Sequence, residues 1–519
     1  MFSVSSLNVS QAQETETPSA PVLWLERATV ACLFLFAAFA PHSIAVTQTA
    51  WLLGMLFWVV RFAFHPRPRV FRTPIDYPLL GFFVLTGLSA FLSYEPMVSI
   101  GKLRAASLFT IIYLFAENIP SRRVTRWLAI TLVASAALGV LYIASERIVG
   151  RGVKLGSVAE SSPLAAATWA DKGKIVSLPI KSGDTILAVD RVRVRSLEDF
   201  ANALNVTKGS KFADVKIFRA EWVATLRVPR GRILPGVTPE ERLGVSGWSS
   251  GRDWRASGFF GLYVSYAEAL QLIIALAVGM FVALPIKRSR TGLLLVLAIA
   301  ALVFALALTF TRASWLAFLV SSAVILLISA SRRAILVATA LAIPLILAGV
   351  FILQQKRNVG FLDRSDQSTT WRETVWREGY DLLVSKPRHL LIGVGMDSIK
   401  GHWREWGLFQ GGRLPWGHLH SNPLQIAVER GVPALILWLV FLGVYARMLW
   451  RLAHDPAMDN WVERGTVLGA LGGLCGFFIS GLVHYNWGDS EVVMVFYCVV
   501  GLTLAIYAGA SQVGLRRRP

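Results

Sequence analysis

Eight histidines are spread over 519 residues, and two of them flank one leucine in Gly417-His418-Leu419-His420-Ser421-Asn422. A neutral imidazole accepts protons well near pH 7, and arginines close by would keep it neutral by like-charge repulsion. His420 is therefore the candidate base, with His418 as a polar neighbour. A spacing of two could also put both rings on one side of an extended segment, as in some metal sites. Glu429 is the next acid and lies far along the chain, so zinc is disfavoured; no metal and no cofactor is expected. Two interfacial hydrogen-bonding histidines are the plainer alternative.

The cations that could work with such a base are Arg312 in Thr309-Phe310-Thr311-Arg312-Ala313-Ser314-Trp315, Arg372 and Arg377 in Trp371-Arg372-Glu373-Thr374-Val375-Trp376-Arg377, and Lys102 with Arg104. Arginine's planar fork grips phosphate oxygens in pairs, so these are candidate diphosphate ligands. Snorkelling to lipid headgroups is the competing explanation. A further cluster, His484 with Tyr485, Asn486, Asp489 and Glu491, could touch a sugar, although a solvated turn accounts for it more simply.

These cations carry meaning only against the elements that position them. The chain is 54% hydrophobic and 16% charged, against about 25% charge in soluble domains. Its apolar runs reach the roughly 20 residues that cross a bilayer as helix. About twelve spans are expected, near 28–45, 47–64, 76–93, 103–118, 126–145, 261–285, 291–310, 313–330, 334–353, 432–450, 466–484 and 490–509. One alternate set of loops holds Arg61, Arg67, Arg69 and Arg72; Arg122, Arg123 and Arg126; Lys287, Arg288 and Arg290; Arg332 and Arg333; Arg447, Arg451 and Arg464; and Arg516, Arg517 and Arg518. By the positive-inside bias these face the cytoplasm. Both termini are then cytoplasmic, and the long connections 146–260 and 354–431 lie outside. Much of the +20 net charge is thus topological, and no nucleic-acid partner is expected. Cys32, Cys475 and Cys498 lie in apolar runs without pairing or metal spacing.

The expected division is a cytoplasmic tail (1–22), five spans (23–147), a periplasmic insert (148–240), four spans (241–355), a periplasmic catalytic loop (356–431), three spans (432–510) and a basic cytoplasmic tail (511–519). Within the insert, 174–178, 185–189, 215–218 and 225–228 read as strands, and 196–204 as a helix with a capping Ser196. The run from Ile180 to Asp190 resembles a glycine-aspartate segment of PDZ domains, which bind peptides by strand addition. No carboxylate-binding loop is evident, which favours a structural or partner-docking module. In the catalytic loop, Thr370 to Ser385 reads as an amphipathic helix, followed by the turn Gly393-Val394-Gly395. Trp371, Trp376, Trp403, Trp406 and Trp416 suit a membrane interface.

At the outer face there is no nucleotide-sugar supply, so a glycan would arrive on a lipid. Here the sequence resembles the O-antigen ligase and polymerase superfamily. The ligase pattern of His, a small polar residue, nine residues, Gly, two residues and a final Gly, Thr or Tyr runs from His420-Ser421 through Gly431; Ala434 departs from its last position. Thr311-Arg312-Ala313-Ser314-Trp315, Arg372 with Trp376, and Ile392-Gly393-Val394-Gly395 are also family-like. The resemblance implies an all-α polytopic glycosyltransferase of the C type with a small α+β insert. It would move O-antigen from undecaprenyl diphosphate to lipid A–core oligosaccharide, among membrane lipids, with inversion and without a metal. His420 would be the base, and Arg312 and Arg372 the diphosphate ligands. Rival readings within the superfamily are an O-antigen polymerase and an O-linked protein oligosaccharyltransferase. A transporter would instead predict ionisable groups deep in the membrane and internal repeats.

Overall fold

A computed structural model describes residues 19–68, 70, 72–171, 174–205, 210–219, 222–252, 254–329, 331–332, 367–414 and 417–516. The protein is a polytopic membrane protein. Ten described helices are long and apolar enough to cross a membrane, from Ala20–Phe39 to Ser490–Ala510, and Asp76–Phe91 is a shorter apolar helix. The span expected at 334–353 lies outside the described residues, as do Arg69, Arg333, Trp416, Arg517 and Arg518. The first span starts earlier than its charges suggested. Glu26 is tolerated within Ala20–Phe39 because Arg61, at the end of the next helix, donates to it at 3.0 Å. The fourth span likewise starts early, at Pro96, and tightens into a 3₁₀ turn at Ser107–Phe109.

The chain forms two compact units: Met1–Ala137 with Phe259–Pro519, and Leu138–Gly258. The helical unit is organised by close packing of Tyr263–Ala283 on Trp461–Gly481. Lipid offers no hydrophobic drive for helix association, so small residues that let backbones approach do the work. A Cβ on Gly465 would lie 2.4 Å from the Cα of Met280, and one on Gly469 would lie 2.5 Å from the Cα of Leu276. Arg312–Ser329 joins this pair through Gln271, whose amide donates to Ser321 at 2.6 Å. Gln271 and Ser321 each lie a little over two turns from the start of their helices. The starts of both helices, and the end of Trp461–Gly481 that runs on to His484, therefore share one end of the bundle. At the other end, buried Glu463 accepts from Arg122 at 2.9 Å.

The second unit is an antiparallel sheet of eight strands. These are β1 (Val153–Val158), β2 (Thr168–Asp171), β3 (Lys174–Ser177), β4 (Thr185–Val189), β5 (Val192–Arg193), β6 (Phe212–Arg219), β7 (Trp222–Pro229) and β8 (Val245–Ser250), in the order β3-β2-β7-β6-β4-β1-β8 with β5 on β4. Leu197, Phe200, Ala201 and Leu204 bury one face of the helix Leu197–Asn205. The turn into β4 is fixed by Asp184, which accepts from Lys181 N at 2.8 Å and pairs with Arg219 at 2.5 Å. All four stretches read as strands lie in the sheet. β1 and β8 were not foreseen, because Val-Ser-Gly-Trp-Ser-Ser has little strand character by itself. They pair from Val153 opposite Ser250 to Val158 opposite Val245.

Gly465→Val should force the packed helices apart and cost about 1–3 kcal/mol. Gly443 has open space around its Cα, so Gly443→Val is the control. Thermal unfolding in detergent should show a lower midpoint for the first variant and little change for the second.

Candidate active site

The loop between the helical spans builds its own core. Val375, Leu382, Val394, Trp403, Phe409, Leu419 and Val428 are buried together, with Trp371 and Trp406 packed against them. These tryptophans therefore serve the loop's interior as well as any interface. Gly393 and Gly395 have positive φ, and their lack of a side chain lets the turn reach the end of Asn422–Arg430. Val394 N donates to Val428 O at 2.8 Å, and Gly395 N to Glu429 O at 2.9 Å. A Cβ on Gly395 would lie 1.9 Å from Ser93 Oγ.

The histidines sit on a kinked segment. Leu419 is held from both sides: Trp376 Nε1 donates to its carbonyl at 2.9 Å, and its N–H donates to Gln425 Oε1 at 2.6 Å. His420 follows with φ of 49°, a left-handed conformation that costs a non-glycine residue on the order of 1 kcal/mol. Its N–H donates to His418 Nδ1 at 3.3 Å. The two rings are 4.0 Å apart between centroids, and Trp371 meets His420 edge-on at 4.5 Å. Both rings thus face the same region, through a kink and not along a strand.

Beside them lies a cavity of about 250 Å³, lined by His418, Lys102, Asp397, Lys400, Glu429 and Asp489 and walled by Phe82, Phe83 and Phe109. Lys102 and Lys400 each pair with Asp397 at 2.8 Å. Glu429 ties the wall together: its Oε1 accepts from Asp397 N and from Gln425 Nε2, each at 2.9 Å, and its Oε2 accepts from Tyr485 OH at 3.3 Å.

Burial is the main cause of the electrostatics. It pushes His420 down to about 2, assisted by His418, His484 and Arg372. His418 falls to about 4 through burial and then Lys400 and His484. His484 falls to about 3 through burial and then Arg372. The sequence expected arginine repulsion to lead; desolvation leads, and Arg372 adds to it. All three rings are neutral at pH 7. Asp489 moves the other way, up to about 7, through burial and then the charge of Glu268.

The residues singled out from sequence distribute unevenly. His420 falls within electrostatic reach of His418, His484 and Arg372, and His484 within reach of His418 and Arg372. Lys102 and Asp489 line the cavity. Arg312 is half-buried and opens its helix at the bundle end shared with His484. Arg377 and Arg104 are exposed, and they share with Arg312, Arg372, His420 and His484 a place outside the cavity lining. The solvated turn expected at His484 is not seen: His484 and Asn486 are buried, and His484 Nδ1 lies 2.7 Å from Glu268 Oε1. Sequence reasoning places none of Glu268, Gln425 and Asp397 at the site, and it weighs Glu429 there only as a distant metal ligand. Glu268 was detectable as an acid inside an otherwise apolar span; the others are ordinary loop residues whose role depends on the fold. Among the described residues no three His, Cys, Asp or Glu side chains gather as a metal site.

Residues 297–439 match the protein family described as O-antigen ligase. This stretch of the chain is thus similar to the O-antigen ligase family. The match spans Arg312, Arg372, His418, His420 and Glu429, and so coincides with the loop that builds the site. It points to a glycosyltransferase-like enzyme acting in a membrane on a lipid-linked glycan. No curated protein matches the chain.

Buried neutral imidazoles bind protons more weakly folded than unfolded, so their stabilising effect is complete above about pH 6.5 and is lost as pH falls towards the folded values. For His418 the difference reaches about 3 kcal/mol by pH 4. His418→Asn should therefore flatten the decline of the thermal midpoint between pH 6.5 and 4.

Proposed function

We propose that the protein is an O-antigen ligase of the inner membrane. It would transfer polysaccharide from undecaprenyl diphosphate to lipid A–core oligosaccharide at the periplasmic face. The observation that carries this is the convergence, inside the family-matched loop, of a neutral imidazole and the Arg372 guanidinium. The basic loops favour a cytoplasmic location for the opposite end of the bundle.

In this reading Arg372 and Arg312 hold the diphosphate and stabilise the charge that develops on it as it leaves. The acceptor hydroxyl attacks the anomeric carbon from the opposite face. The bond to the acceptor oxygen forms, the bond to the diphosphate oxygen breaks with its electron pair, and the proton goes to His420. Configuration inverts and no metal is needed. A base held near 2 is weak at pH 7. The bound diphosphate supplies the missing driving force, because an anion beside an imidazole favours its protonated form. The base is thus strengthened when donor is present. Lys102 and Lys400 at the cavity would meet anionic groups of a substrate, and Arg104 and Arg377 lie further out as weaker contacts. The insert, with its PDZ-like segment, would serve as a partner-docking module.

His420→Ala should keep donor binding and lose transfer by about 100-fold or more. Arg372→Ala and Arg312→Ala should weaken donor binding. Purified protein given a polyprenyl-diphosphate glycan with chelator present, and offered lipid A–core, a second lipid-linked repeat or a peptide, reads both effects and the acceptor. Full transfer by His420→Ala would remove the proposed base; transfer only to the repeat or the peptide would replace the ligase assignment.

A further inference from the structure

Glu268 lies in the membrane-spanning helix Tyr263–Ala283 and is buried. A carboxylate there is costly unless it is paired or protonated. Its Oε1 is 2.7 Å from His484 Nδ1, and His484 is buried as well. Its Oε2 has no hydrogen-bond partner among the described residues. A carboxylate and an imidazole in this contact can hold one proton between them at no net charge, which is the cheap state in a dry interior.

The pair is not needed to fix the loop that carries His484. Asn422 and Asn486 already do that. Asn422 Nδ2 donates to Asn486 Oδ1 at 2.5 Å, Asn422 Oδ1 accepts from Trp487 N at 3.0 Å, and Asn486 Nδ2 donates to Ser480 Oγ at 2.9 Å. The position of the pair is instead functional in kind. On one side, Tyr485, the residue next to His484, holds its ring 5.6 Å from that of His418, which in turn lies 4.0 Å from that of His420. On the other, Ser265 stands one turn before Glu268 and donates to Asp489 Oδ2 at 2.6 Å, and Asp489 lines the cavity.

We propose that the Glu268–His484 pair takes over the acceptor's proton from His420 and releases it through Asp489 to the cavity. This rests on the glycan-transfer reading above and assigns the proton's route within it. The proton that leaves the acceptor hydroxyl passes to His420 and then to the pair, which gives up its resident proton towards Asp489 in the same step and so keeps no net charge; the diphosphate departs with the electron pair of the broken bond, and water at Asp489 finally takes the released proton. The charged and titratable groups that act on the pair are Arg372, His418, His420 and Asp489, and Glu491 acts in turn on Asp489. Glu268 and His484 act through His420, and so are positioning residues.

The test uses full-length protein in lipid nanodiscs with a polyprenyl-diphosphate glycan and its acceptor. Glu268→Gln keeps the shape and a hydrogen bond to His484 but cannot share a proton. Its kcat should fall at least about tenfold with donor KM unchanged. Its rate should also rise between pH 7 and 9, where the wild-type rate is flat, as hydroxide takes over the pair's role. Glu268→Asp should recover part of the rate. Should Glu268→Gln fail to fold, Asp489→Asn, outside the spans, should give the same slowing and pH dependence. Wild-type kcat and pH profile in a folded Glu268→Gln or Asp489→Asn protein would overturn the relay and leave the transfer reading intact. A wild-type protein that transfers to no acceptor would overturn the transfer reading, and the relay with it.

Discussion

Desolvation of the His418–His420 turn is the constraint on which the rest depends. The two rings are packed on each other and on Trp371, and burial is what keeps them neutral. Holding them there requires a left-handed residue at His420. It also requires two hydrogen bonds to the backbone of Leu419, one from the helix Gln367–Val384 and one to the helix Asn422–Arg430. The loop's private core supplies the rigidity. On the proposed function, neutral, enclosed imidazoles within electrostatic reach of Arg372 would gain a proton more readily once an anion enters beside them.

The glycine contacts between Tyr263–Ala283 and Trp461–Gly481 carry the same logic into the helices. Close backbone approach sets Gln271 against Ser321 and brings Glu268 beside His484. Polar groups placed so deep persist only where they are paired, and here the pairs point toward one end of the bundle. That end also receives the loop's histidines, Arg372 and the start of Arg312–Ser329. Small residues in the spans and hydrogen bonds in the loop thus converge on one cluster.

Much of this was legible in the residues. Apolar run length marked the spans, and the short strands of the insert stood out by composition. His420 and Arg372 were singled out from residue type and order, and the fold places them within electrostatic reach of one another. Other parts were hidden for physical reasons. Glu26 and Arg61 cancel across two helices, so local charge misplaced a boundary. His484 read as a surface turn because its partner Glu268 is more than two hundred residues away. Glu429, Gln425 and Asp397 have no signal of their own; only the glycine turn at 393–395 folding onto Asn422–Arg430 makes them a wall. Arg104 and Arg377 satisfied the same charge criterion as Arg372, but their exposure separates them from it.

The most direct measurement of the central claim is an experimental structure of the protein with a polyprenyl-diphosphate glycan bound. Diphosphate density on Arg372, with the anomeric carbon facing His420, is the predicted result. Density for the diphosphate elsewhere in the helical unit, or with a helix between it and His420, would contradict the account.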